Sequence, residues 1–202
     1  WEGKLEPVYP YRKAGPTVEK INGKLTAPAA PKIGVAKPKV IIPVFPGTNC
    51  EYDTAKAFAR AGADPEILVI RNLTPADVAE SCKALVKAID NSQIVMLPGG
   101  FSGGDEPDGS AKFIASFFRN PEVTEAVRRL LQQRDGLMLG ICNGFQALIK
   151  LGLVPYGDIR PITPYDPTLT FNTIGRHQSM LVRTRIASTG SPWLSKCEVG
   201  EQ

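Results

Sequence analysis

Gly140-Ile-Cys142-Asn-Gly144 sets a thiol between two glycines, after the apolar run Leu137–Ile141 and before Phe145-Gln-Ala-Leu-Ile149, which suits a helix. The spacing is G-x-C-x-G, the thiol counterpart of the G-x-S-x-G nucleophile elbow. Glycines two residues to either side let a strand turn sharply into a helix without Cβ clashes. The sulfur then stands above the sheet at a helix N-terminus, where backbone amides and the helix dipole favour negative charge. Taken alone, the five residues would equally suit a small core cysteine after a strand. The rest of the chain argues for a nucleophile.

Acyl transfer to a thiolate needs donors for the oxyanion of the tetrahedral intermediate. Pro98-Gly99-Gly100-Phe101-Ser102-Gly103-Gly104 offers backbone N–H groups at close approach. By elbow geometry the amide of Asn143, next after the nucleophile, is a second donor. Losing one such donor typically costs ~10²–10³ in rate. A plain strand-to-helix turn or a phosphate cradle competes for the glycine loop, but its pairing with the elbow favours the oxyanion reading. A thiol also needs a base and a group to orient that base. His177 is the sole histidine, with no acidic residue within five positions on either side, and it reads as a surface or pocket-rim imidazole.

These loops need strands to hold them. Val40–Phe45, Glu66–Ile70, Ile94–Leu97 and Leu137–Ile141 are short apolar runs fit for buried strands. Helical stretches lie between them: Asp53–Arg60, stopped by Gly62; a segment opened by Thr74-Pro75 with Val78, Cys82, Leu85, Val86 and Ile89 on one face; then Phe113–Phe118 and Pro121–Gln133. Such alternation predicts an α/β fold, a mostly parallel sheet with helices on both faces. Ligands of these sheets bind beyond the carboxyl ends of the strands. Three loops fall there, Pro46–Tyr52, Pro98–Asp105 and Cys142–Phe145, and their convergence predicts one active site. Leu169–Asn172 and Met180–Ile186 read as antiparallel strands on the flank.

Composition divides the chain. Trp1–Lys39 hold six of the 18 prolines and eight Lys/Arg against three Asp/Glu, a charge of +5. Val40–Gln202 hold 16 basic and 17 acidic residues, so the overall +4 belongs to the N-terminal segment. Residues 1–38 read as a Pro-rich linker or tail and 39–202 as the folded domain. A basic surface for nucleic acid is disfavoured. Neither a membrane-length apolar run nor a signal-peptide pattern occurs, so no membrane partner is expected. Cys50, Cys82, Cys142 and Cys197 are widely spaced, which suggests reduced thiols and a cytoplasmic setting. With one histidine and no clustered ligand set, no metal site is expected.

Pro46-Gly-Thr-Asn-Cys-Glu51, Leu97-Pro-Gly-Gly-Phe-Ser102, Gly140-Ile-Cys-Asn-Gly-Phe-Gln-Ala-Leu148 and Leu169-Thr-Phe-Asn172 together resemble the glutaminase domain of phosphoribosylformylglycinamidine synthase. That domain is a class I, triad-type glutamine amidotransferase with a flavodoxin-like sheet, and the resemblance runs from Lys39 to about Trp193. Gly103–Gly109 is similar to the variant in large single-chain synthases, where this domain follows the synthetase part. The resemblance implies that glutamine is hydrolysed to glutamate and that ammonia passes to a synthetase domain of the same longer polypeptide. That domain would use ATP and magnesium to convert formylglycinamide ribonucleotide to the amidine; no cofactor is implied for the glutaminase part. Cys142 would be the nucleophile forming a glutamyl thioester. Gly100 and Asn143 would supply oxyanion donors, Phe101 and Gln146 would hold glutamine, and Asn49 and Cys50 would lie near the pocket or the synthetase interface.

The family places its triad His and Glu as His-x-Glu after the flanking strands; in this sequence that segment would begin just beyond Gln202, and it is absent. The expectation is a C-terminally incomplete piece of a longer synthase, hydrolysing little glutamine by itself. Two other readings compete. An elbow-cysteine protein of the protease or deglycase type would lack the Pro-Gly-Thr-Asn-Cys and Cys-Asn-Gly-Phe-Gln combination. A non-catalytic docking module of the same fold would carry a Cys142 that does not react selectively with glutamine-like electrophiles.

Overall fold

Val40, Ile41 and Ile42 are apolar in sequence because both faces of their strand are covered, and none is exposed to solvent. The structure, a computed structural model, describes residues 34–102, 111–169 and 172–202. The tail expected over residues 1–38 therefore lies almost wholly outside the described residues, as does the Gly103–Gly109 segment. The chain divides into two compact units, Lys32–Phe171 and a second that includes Asn172–Gln202.

In the first unit, β1 (Lys39–Val44), β3 (Asp64–Val69), β4 (Ile94–Leu97) and β6 (Leu137–Gly140) form one parallel sheet in the order β3-β1-β4-β6. This is the 2-1-3-4 order of the flavodoxin-like doubly wound sheet. Pro43, which has no N–H to donate, lies past the last β1–β4 pair, Ile41↔Val95. Side chains alternate across the sheet. Ile41, Val95 and Leu97 join one core with α2 (Pro75–Asp90), α3 (Lys112–Phe118), α4 (Pro121–Arg128) and α5 (Asn143–Leu151). Val40, Ile42, Ile94 and Met96 face the other side, where Ala55 and Phe58 of α1 (Glu51–Arg60) pack.

Local chemistry sets the helix ends. Thr74 caps α2 by accepting from the Asp77 amide at 3.1 Å, and the Asp77 carboxylate accepts from the Thr74 amide at 3.0 Å, a closed capping box ahead of Pro75. Asn120 caps α4, accepting from the Glu122 amide at 2.9 Å. The helix expected to run to Gln133 leaves α-geometry at Arg128 and closes as a wider π turn over Arg129–Gln133. Arg134 then donates to the carbonyls of Ile89 (2.7 Å), Asp90 (2.7 Å) and Ser92 (3.1 Å) at the end of α2. Phe45, 2% exposed, directly follows β1 inside an aromatic cluster, its ring 5.6 Å from Phe113 and 5.4 Å from Phe117, both edge-on. The loop after it thus begins from a fixed point.

Arg128 of α4 grips Asp158 through Nε at 2.8 Å and Nη2 at 3.2 Å, and also donates to the Ile159 carbonyl at 3.0 Å. Hydrogen bonding from Arg128 holds the Asp158 carboxyl below its ordinary pKa. A depressed carboxyl adds stability that is fully present above the unfolded value of about 3.9 and is lost as pH falls through the folded one. The pair is partly exposed, so its contribution is at most about 1 kcal/mol. Asp158→Asn is expected to lower the melting temperature at pH 7 and leave it unchanged near pH 2, measured as paired melts.

The second unit departs from expectation. Met180–Ile186 forms no strand, and Met180, Leu181 and Val182 are exposed. Among the described residues nothing pairs with it as a ladder; Ile186 ties back, donating to the Glu201 carbonyl at 2.9 Å and accepting from the Gly200 amide at 2.9 Å. Strand propensity without a neighbouring strand does not make a sheet. Of the companion segment Leu169–Asn172, residues 170 and 171 lie outside the described residues. Among the described residues no helix is long and apolar enough to cross a membrane.

Candidate active site

The chain reverses sides of the sheet at β1, between β3 on one flank and β4 on the other, so the loops after β1 and β4 part at the switch point. The expected convergence of three loops is present there, held by backbone. β2 (Thr48–Asn49) pairs antiparallel with β5 (Gly99–Gly100), in register Thr48↔Gly100 and Asn49↔Gly99. Phe101 donates its amide to the Gly47 carbonyl at 2.8 Å. The loop after β4 is tied in turn to the elbow, since Gly144 donates to the Pro98 carbonyl at 3.0 Å.

Cys142 is exposed and stands as the N-cap of α5 with φ 54° and ψ −109°. Those angles fall outside the regions an L-residue ordinarily occupies, and such strain persists where surrounding structure enforces it. Here the enforcement is visible on both sides of the thiol. Ile141 donates to the Leu97 carbonyl at 3.1 Å, and Gln146 donates to the Cys142 carbonyl at 3.0 Å. Gly144 lies so close to β4 that a Cβ on it would sit 2.0 Å from the Leu97 carbonyl oxygen.

Gly99 is the glycine that meets the thiol. A Cβ there would lie 3.4 Å from Cys142 Cβ and 3.9 Å from Sγ, so its hydrogen leaves the space beside the sulfur open. Gly100, singled out in the sequence, follows it in β5 with φ +116°, and a Cβ would come within 2.2 Å of the Gly47 carbonyl oxygen. Phe101 is 60% exposed and Gln146 half-buried on the first turn of α5. Asn49, in β2, and Cys50, the N-cap of α1 with φ 69°, are both exposed on the loop after β1. His177 is exposed and belongs to the second unit.

Ser102 was not singled out by sequence. It is fully buried beside an equally buried Asn143: the Ser102 amide donates to Asn143 Oδ1 at 3.3 Å and its hydroxyl donates to the same oxygen at 2.7 Å. Asn143 Nδ2 donates on to Gln146 Oε1 at 3.2 Å. The only advance signal was a lone hydroxyl among glycines.

Comparisons with known proteins identify the family. A family model described as a CobB/CobQ-like glutamine amidotransferase domain matches residues 37–201. The chain is 36% identical over 146 residues to phosphoribosylformylglycinamidine synthase subunit PurQ of Dehalococcoides mccartyi, covering 71% of this chain and 51% of that protein. It is 35% identical over 154 residues to the PurQ subunit of Methanococcus maripaludis, covering 73% and 50%. Against that of Rubrobacter xylanophilus it is 35% identical over 164 residues, covering 81% and 60%. The chain thus spans about half the length of the first two of these relatives. The structure of PurLQS from Thermotoga maritima is similar with a TM-score of 0.39 at 28% identity, covering 58% of this chain and 45% of that one. With the match over residues 37–201, the chain belongs to the CobB/CobQ-like glutamine amidotransferase domain family.

Proposed function

We propose that this chain is the glutaminase part of a phosphoribosylformylglycinamidine synthase. The observation that carries the reading is Cys142 itself: an exposed thiol on a strained elbow, with Gly99 beside its sulfur. Sγ attacks the side-chain amide carbon of glutamine, and the amide oxygen becomes an oxyanion. Backbone amides of Gly100 and Asn143 receive it, while Phe101 and Gln146 hold the amino acid. Collapse breaks the C–N bond, the nitrogen leaves protonated as ammonia, and a glutamyl thioester remains on Cys142. Water then hydrolyses the thioester to glutamate and frees the thiol.

The ammonia serves a synthetase domain, which supplies ATP and magnesium chemistry and turns formylglycinamide ribonucleotide into the amidine. The large single-chain arrangement, with that domain in the same polypeptide, is the form the Gly103–Gly109 segment supports, and the widely spaced cysteines suit a cytoplasmic setting. The base that activates Cys142 belongs to a His-x-Glu pair that the 202 residues do not contain. The 202-residue polypeptide by itself is therefore expected to turn over glutamine little or not at all.

The test is to mix the full-length protein with glutamine, quench in acid and map adducts by mass spectrometry. A γ-glutamyl adduct on Cys142 is the expected result. Glutamate release with no such adduct, and no protection of Cys142 from alkylation, would overturn the thioester route.

A further inference from the structure

The Ser102–Asn143–Gln146 chain has a direction that one atom fixes. A backbone N–H can only donate, so the Asn143 atom facing the Ser102 amide at 3.3 Å must be its carbonyl oxygen. The Ser102 hydroxyl, 2.7 Å from the same oxygen, then donates as well. With its oxygen so held, Asn143 turns its NH₂ toward Gln146, whose Oε1 accepts at 3.2 Å. Both Ser102 and Asn143 are fully buried, so water does not compete for these bonds. Gln146 is left with its own NH₂ outward, with no side-chain partner among the described residues, one helical turn from Cys142 and on the same face of α5.

We propose that Ser102 is a positioning residue that, through Asn143, fixes which end of the Gln146 amide meets the ligand. The site thereby presents an N–H donor and takes a substrate with a hydrogen-bond acceptor there, a carboxylate or carbonyl oxygen, while an ammonium group is rejected. This rests on the glutaminase reading and adds a specificity determinant to it. The inward amide is set by a residue 41 positions away in sequence, on the loop that also carries the expected oxyanion glycine.

The experiment is a double-mutant cycle in the full-length protein, reading KM and kcat for glutamine separately. Ser102→Ala is expected to raise KM about three- to tenfold, the effect of one weakened hydrogen-bond relay, with kcat changed less. In a Gln146→Met background the same substitution is expected to change KM no further. Asn143→Asp keeps the bonds to Ser102 but can no longer donate to Gln146, which must turn its own NH₂ inward; its KM is expected to rise at least as much. The rate at which iodoacetamide alkylates Cys142 should stay within about twofold in Ser102→Ala, since that substitution adds no charge beside the thiol and leaves the elbow intact. An equal KM effect of Ser102→Ala with and without Gln146, or unchanged KM in Asn143→Asp, would overturn the proposal. Absence of glutaminase activity in the unmutated full-length protein would instead remove the reading beneath it, and the proposal with it.

Discussion

If the chain is the glutaminase part proposed above, Cys142→Ala is expected to abolish glutamine-dependent amidine synthesis in the full-length enzyme while leaving ammonia-dependent synthesis intact. Removing a nucleophile that forms a covalent intermediate typically costs roughly 10⁴-fold or more in kcat. The methyl group of alanine fits wherever the thiol does, and Cys142 is exposed, so packing is barely touched. Alanine also keeps the backbone bonds to the Cys142 carbonyl and around Ile141 that hold the elbow. On the proposed reading, the synthetase chemistry needs only ammonia, whatever its source. Parallel assays with glutamine and with ammonium chloride therefore separate the two steps in one preparation. Retention of more than a few per cent of the glutamine-dependent rate would remove Cys142 from the mechanism. Loss of both rates alike would make it a structural residue.

Much of this site was legible because its parts obey local rules. The parallel strands announce themselves as short apolar runs, and Ile94–Leu97 is found with the expected bounds. The cap at Thr74 and Pro75 needs only neighbours within three residues. The elbow is readable because its two glycines mark a place where chain meets chain. Other features depend on partners distant in sequence. The β2–β5 ladder joins Thr48-Asn49 to Gly99-Gly100, of which Asn49 and the two glycines have little strand propensity, and exists because two loops are brought together by the sheet beneath. Ser102 and Asn143, 41 residues apart, give no periodic signal, and only burial makes their bond consequential. Met180–Ile186 failed in the opposite direction: its residues suit a strand, but pairing is a property of two segments, and the described residues supply only one.

Gly144→Ala should show how tightly the nucleophile depends on the approach of α5 to β4. The new Cβ would lie 2.0 Å from the Leu97 carbonyl oxygen, 2.6 Å from its carbonyl carbon and 2.8 Å from its Cβ. These atoms cannot swing aside. Leu97 is fully buried, and its carbonyl already accepts from the Ile141 amide. Relief requires α5 to retreat from the strand by about an ångström, which stretches the Gly144–Pro98 bond and carries Cys142 with it. A displacement of that size at a reacting atom costs on the order of 10²-fold in rate. Overpacking of this kind lowers stability by about 1–3 kcal/mol. Gly157→Ala is the control: its φ is +72°, but nothing lies within 4 Å of the added Cβ, so it carries backbone strain without a collision. Both variants are expected to melt earlier than the parent, and only Gly144→Ala is expected to lose glutaminase activity. Equal activity in the two would mean that the elbow tolerates a looser helix and that the thiol's position is set by the β2–β5 loops instead.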